Sequence, residues 1–291
     1  MENAQQEAYS YRNVDQLIEW HRYKEALKEA EQILSRSPED PDAMALIAKV
    51  YLMLSEYPKA LYWSAEALKR EPEHEQAWYV RVLVYYETRN AKEFYAAADE
   101  AIRISPYEGM YYFLKGSLLA NKAKLKEARN LVHEALALEP ETPLYLAFLS
   151  YIEALDGRMA ESARLDKQAA QIGAESATVL LYLGLAARCR ADYKLEETYL
   201  RSAVRLKPNS KQYQDEYLEC MQHSYRIFRV MLWPFKFLRR LKPWQIAVCW
   251  FFAFLLFKPL LVLFILAYLA VHWGTKGFVH VKVFGWRRRP G

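Results

Sequence analysis

Six histidines and three cysteines are the side chains best suited to hold a metal, move a proton or act as a nucleophile, and their spacing supports none of these. His21, His74, His133, His223, His272 and His280 form neither the HExxH pair of a zinc hydrolase nor a cluster with ligand spacing. His272 and His280 together make only a weak site, and two interfacial residues of a tail is the plainer reading. Cys189, Cys220 and Cys249 are odd in number with no paired spacing, which predicts free thiols in a reducing compartment rather than a disulfide framework. No phosphate-cradling GxxxxGK[ST] loop and no GxSxG nucleophile turn occurs. No catalytic residue, metal ligand or cofactor is therefore expected, and the sequence reads as a binding protein rather than an enzyme.

Charge is the chemistry that the chain does carry. Glu219 is the last acidic residue, and twelve basic residues follow it, so the net +5 leaves −7 for the part up to Glu219. Such a division suggests two parts with different neighbours. The first sixteen residues lack an apolar core, so no secretory signal is expected.

The elements that position these residues follow from a proline beat. Pro38, Pro72, Pro106 and Pro140 are spaced by 34, and Pro208 follows at twice that step, the missing beat falling on Ala174. A period of this length marks a supersecondary unit stacked on itself. Six units result, 7–40, 41–74, 75–108, 109–142, 143–176 and 177–210, after a 1–6 extension. Within each, apolar residues follow a helical period, which predicts one helix over positions 3–14 and a second stopping before the proline. Glycine is scarce and helix formers dominate, so the fold class is all-α. Position 8 holds Val14, Ala48, Val82, Gly116, Ser150 and Gly184. Position 20 holds Ala26, Ala60, Phe94, Ala128, Ser162 and Glu196. Position 27 holds Ile33, Ala67, Ala101, Ala135, Ala169 and Ala203. These mostly small columns predict close helix contacts.

With Trp78 at position 4, Leu183-Gly184 at positions 7 and 8, Tyr51 and Tyr85 at position 11, and these alanines and prolines, residues 7–210 resemble the tetratricopeptide repeat (TPR) family. The first and fifth units depart most; the fifth has Asp166 at position 24 and no proline. The resemblance implies a right-handed α-solenoid whose first helices line a concave groove through positions 5, 9 and 12. Family members that bind chaperones hold a peptide carboxylate there with Lys and Asn. Only Lys49 fits, so that mode is not carried over. The implied groove is apolar and aromatic instead: Tyr79, Leu83, Tyr86 and Phe113, with Lys49 and Tyr151 beside them. It suits an amphipathic helix or an extended peptide with apolar anchors. The alternative is that these rings only pack against neighbouring first helices. Residues 211–232 follow as a capping helix, with Tyr213, Tyr217, Met221, Tyr225 and Phe228 along one face.

The tail reads as membrane sequence. Residues 244–273 are apolar apart from Lys258 and His272, and Trp244, Phe251, Phe252, Phe264 and Trp273 belong to this anchor. Lys258-Pro259 divides it. A lysine at the centre of a single span costs about 2.5–3.5 kcal/mol on insertion scales, and proline kinks a helix, so a hairpin turning there is one topology and a single kinked span the other. The 233–243 linker carries Lys236, Arg239, Arg240 and Lys242, and the 274–291 tail carries Arg287, Arg288 and Arg289, suited to anionic lipid headgroups. Basic flanks on both sides place the repeats on the cytoplasmic face. Nucleic acid is not the expected partner. Two functions remain open: a membrane-anchored adaptor recruiting a protein through the groove, or a subunit of an integral membrane complex in which Lys258 pairs with another membrane protein inside the bilayer.

Overall fold

Each 34-residue unit folds as two helices because two devices recur at fixed positions. The computed structural model describes residues 2–224 together with Leu266, Leu269 and Trp273. Thirteen helices lie among them: α1 (Glu2–Glu19), α2 (Tyr23–Arg36), α3 (Pro41–Met53), α4 (Tyr57–Arg70), α5 (Glu75–Glu87), α6 (Ala91–Ile104), α7 (Gly109–Asn121), α8 (Leu125–Leu138), α9 (Pro143–Leu155), α10 (Met159–Gly173), α11 (Ala177–Cys189), α12 (Tyr193–Leu206) and α13 (Lys211–Ser224).

The first device ends every first helix. The residue at position 15 of each unit has positive φ: His21, Ser55, Arg89, Ala123, Gly157 and Ala191. The amide of the next residue donates back five residues, as Lys124 does to the Leu119 carbonyl at 3.0 Å and Asp192 to Ala187 at 3.0 Å. This is the Schellman turn, and it reverses the chain into the second helix. The second device joins one unit to the next. Position 34 is the N-cap residue of the following first helix, and its side chain caps α3, α5, α7 and α11: Asp40 accepts from the Asp42 amide, His74 Nδ1 from Ala77, Glu108 from Met110 and Ser176 from Val179. First helices from α3 to α11 therefore begin two residues before the apolar pattern starts. α1 begins at Glu2, so the 1–6 extension is helical from its second residue.

The chain divides after Pro140 into two compact units. In the first, α1 to α5 share a core of Val14, Ala26, Ile33, Ala48, Ala60, Val80 and neighbours. In the second, Ala147, Ala169, Val179 and Leu183 form one cluster, and Ala177, Leu181, Leu200, Tyr213 and Cys220 another that joins α11, α12 and α13. The small columns lie where helices approach. A Cβ added to Gly184 would stand 2.8 Å from Leu200 Cγ, and one added to Gly116 3.1 Å from the Ala128 carbonyl oxygen. The column at position 27 is buried throughout.

The fifth repeat, which lacks the proline, ends differently. α10 runs one residue longer than the other second helices, to Gly173. There a Cβ would come within 2.7 Å of Pro143 and 2.8 Å of Val179. The capping segment is helical to Ser224; its remainder, 225–232, lies outside the described residues.

Candidate protein-binding surface

α5 presents Tyr79, Leu83 and Tyr86 on one face, spaced i, i+4, i+7, and all three are half-buried. Among the described first helices it alone leaves positions 5, 9 and 12 all partly open. In α3 the same columns hold Ala45 and Leu52, both buried, and in α9 Ala147 and Ala154, both buried. The rings are held from behind. Tyr79 lies 6.3 Å from the Tyr111 ring, and Tyr86 5.9 Å from Phe94. The Tyr86 hydroxyl is 2.8 Å from Ser117 Oγ. Burial, with Glu108 adding to it, pushes the Tyr79 hydroxyl above its ordinary pKa; burial does the same at Tyr86, against the Ser117 hydrogen bond. Both therefore stay neutral, and the strip offers apolar ring faces with the Tyr86 hydroxyl anchored on Ser117.

The other expected groove residues part from this strip. Phe113 is only 5% exposed, so its ring belongs to the packing and is not open to a partner. The same column holds Ala45, Ala147 and Leu181, all buried. Lys49 Nζ lies 2.8 Å from Asp15 Oδ1, so this ammonium already has a carboxylate. Tyr151 is half-buried in the second unit, its ring 6.2 Å from Tyr182.

Three groups escaped the apolar pattern. Position 4 carries a donor that reaches back six residues to the proline carbonyl: Trp78 Nε1 to Pro72 at 2.8 Å and Tyr112 Oη to Pro106 at 3.1 Å. Two ion-pair clusters fill the second unit. Arg190, just past α11, donates to Ser162 Oγ at 2.6 Å and Asp166 Oδ2 at 2.8 Å, and Ser150 and Tyr199 also reach Asp166. Arg188 donates to Glu196 Oε1 at 2.6 Å and pairs with Glu216 and Glu219 of α13. Asp166 and Glu196 are both buried, and desolvation raises their pKa values against the pull of the arginines. The Tyr199 hydroxyl is pushed up to about 12 by burial and by Asp166. The signal for these clusters was present as polar residues at apolar positions 8, 20 and 24.

Lys236, Arg239, Arg240, Lys242, Trp244, Phe251, Phe252, Lys258, Pro259, Phe264, Arg287, Arg288 and Arg289 lie outside the described residues. Trp273 is helical and 69% exposed. Among the described residues, no helix is long and apolar enough to cross a membrane, and no group of three His, Cys, Asp or Glu side chains could hold a metal ion.

Known proteins place the fold. Residues 19–101 match the family model of anaphase-promoting complex, cyclosome, subunit 3. No curated protein matches the sequence. Among solved structures, a chain of the APC/C hetero-tetramer Cut9-Hcn1 is similar with a TM-score of 0.63 at 14% identity; the match covers 74% of this chain and 43% of that one. PilF of Pseudomonas aeruginosa is similar with a TM-score of 0.60 at 18% identity, over 75% of this chain and all of that one. A tetratricopeptide repeat protein from Parabacteroides merdae has a TM-score of 0.59 at 16% identity, over 74% and 84% of the two chains. The described helices thus form an α-solenoid of the tetratricopeptide type.

Proposed function

We propose that this protein is a membrane-anchored adaptor that recruits a protein partner through the α5 strip. The observation that carries the reading is that Tyr79, Leu83 and Tyr86 stay half-exposed on α5, whereas every other described first helix buries at least one of the three matching positions. Half-exposed aromatic rings held by neighbours lose little side-chain freedom on binding and suit an amphipathic helix or an apolar-anchored peptide. Membrane attachment rests on the apolar stretch 244–273 with its basic and tryptophan flanks. Tethering raises the local concentration of whatever the strip binds.

Photo-crosslinking residues placed in the cell at Tyr79 and Tyr86 are expected to capture one and the same protein, and one placed at buried Phe113 to capture none. Empty lanes at both open positions refute the strip. Alkaline carbonate tests the anchor separately: the full chain should stay with the membrane pellet. Cysteine accessibility at Lys242 and Lys276 then reads topology, same-side labelling supporting a hairpin and opposite-side labelling a single span.

Lys258 favours one second reading, a subunit of a membrane complex, because a lysine within an apolar stretch seeks an acidic partner there. Lys258→Leu separates the two. Loss of assembly with a specific complex supports the subunit; unchanged assembly supports the adaptor.

A further inference from the structure

A second face of α5 carries a cation with no counterion among the described residues. Trp78, Arg81 and Tyr85 share a face turned about 130° around the helix from Tyr79, Leu83 and Tyr86. The Arg81 guanidinium carbon lies 5.9 Å from the Trp78 ring centre and 5.5 Å from that of Tyr85. Its Nη2 donates to the Tyr85 hydroxyl at 2.9 Å. Its Nε is buried with no hydrogen-bond partner. Among the described residues, Nη1 has no partner either, and no carboxylate pairs with the guanidinium.

The repeat supplies its own comparison. Thirty-four residues on, at the same unit position, stands Lys115, and its ammonium lies 2.7 Å from Asp99 Oδ1. The residue that corresponds to Asp99 one repeat earlier is Ala65, part-exposed on α4. Its neighbour Glu66 is committed to Lys69 and Arg70. The place filled by a carboxylate in the fourth repeat is therefore left without one in the third. A guanidinium stripped of part of its hydration by two rings, with donor capacity unspent, is matched by a planar carboxylate, which accepts two N–H groups at once.

We propose that Arg81, framed by Trp78 and Tyr85, is a receptor for the carboxylate of an aspartate or glutamate side chain on an acidic protein partner. The incoming carboxylate takes the place that Asp99 takes beside Lys115. This site is separate from the α5 strip and does not depend on it.

The test uses the full chain in lipid nanodiscs, labelled with 5-fluorotryptophan, the Trp78 resonance being identified with Trp78→Phe. Titration with acetyl-pentaglutamate amide should move that resonance saturably. Arg81→Gln should weaken the binding about tenfold or more. Ala65→Asp should weaken it as strongly, because it fills the site from within; it should also raise the thermal midpoint when Arg81 is present and not when Arg81→Gln accompanies it. Inorganic phosphate should bind more weakly than the peptide. The proposal is overturned by a non-saturable shift, by binding that survives Ala65→Asp, by an unchanged midpoint in Ala65→Asp, or by phosphate binding the more tightly.

Discussion

Five of the six first helices end on a non-glycine residue in the left-handed region, and Ala123 offers the cleanest measure of what that costs. Its φ is +58° and it is exposed, so its side chain makes no packing contribution to weigh. An L-residue in this region gives up about 1–2 kcal/mol to the clash of Cβ with the following carbonyl. Glycine removes that clash but adds unfolded-state freedom worth about 0.5–1 kcal/mol. Ala123→Gly should therefore stabilise by about 0.5–1 kcal/mol, or about 1–4 °C in a protein of this size. The hydrogen bonds of the turn, Ala123 to Ala120 at 2.9 Å and Lys124 to Leu119 at 3.0 Å, remain intact. Gly157→Ala is the converse. A Cβ there meets nothing within 4 Å, so the cost of about 1 kcal/mol is conformational alone. Ala120→Gly, three residues back inside α7, should destabilise by about 1 kcal/mol, since there glycine only loosens a helix. Thermal unfolding followed by circular dichroism reads all three. If Ala123→Gly loses stability as Ala120→Gly does, the left-handed turn is not under the strain assigned to it.

Other outcomes follow from the packing and the charges. Gly184→Ala should destabilise by about 1–3 kcal/mol, because the new methyl would lie 2.8 Å from Leu200, and Gly184→Ala with Leu200→Val should recover part of the loss in denaturant titration. Trp78→Phe keeps the ring and removes the bond to Pro72, which should cost about 0.5–1.5 kcal/mol and speed exchange of the neighbouring turn amides. Burial raises the folded-state pKa of Glu196, so its linkage contribution is fully present below the ordinary glutamate range and is lost as pH rises through the folded value. Glu196→Gln should accordingly gain stability relative to the parent at neutral pH and lose that advantage in acid, as read from unfolding midpoints across the pH range.

Much of this fold is legible in the sequence because repetition multiplies weak signals. One proline or one alanine says little, whereas prolines at a fixed 34-residue step fix the unit, and small residues at positions 8 and 27 fix where helices touch. The helix starts were missed by two residues because caps such as Asp40, His74 and Ser176 act through backbone amides, which an apolar period does not register. The proposed binding strip was legible only as a set of positions. Tyr79, Leu83 and Tyr86 share one helix face and are half-buried, but Phe113, in the same column as Tyr79, is buried, because a column fixes a side chain's direction and not what packs over it. Arg81 was hidden for a related reason: its significance lies in the carboxylate that Ala65 does not supply.

The fifth and sixth repeats show what the array gains from breaking its own pattern. Apolar faces repeated every 34 residues are nearly interchangeable, so alanine against alanine does little to distinguish one pairing of helices from another. Arg190 against Ser162 and Asp166 does distinguish, because Asp166 without Arg190 would be a buried charge held only by the Ser150 and Tyr199 hydroxyls, with no countercharge. A buried pair of this kind adds little net stability, since desolvation offsets the Coulomb attraction, but breaking it is costly. Arg190→Met alone should therefore destabilise by about 3–5 kcal/mol, as it strands Asp166. Asp166→Leu with Arg190→Met should restore most of that, and the restored protein should still show a broader unfolding transition and faster amide exchange in α10 than the parent. If the double variant instead unfolds as sharply as the parent and protects α10 equally, the pair is not what selects this packing, and the work falls to Gly173, which lets α10 close on Pro143 and Val179 where the proline is missing.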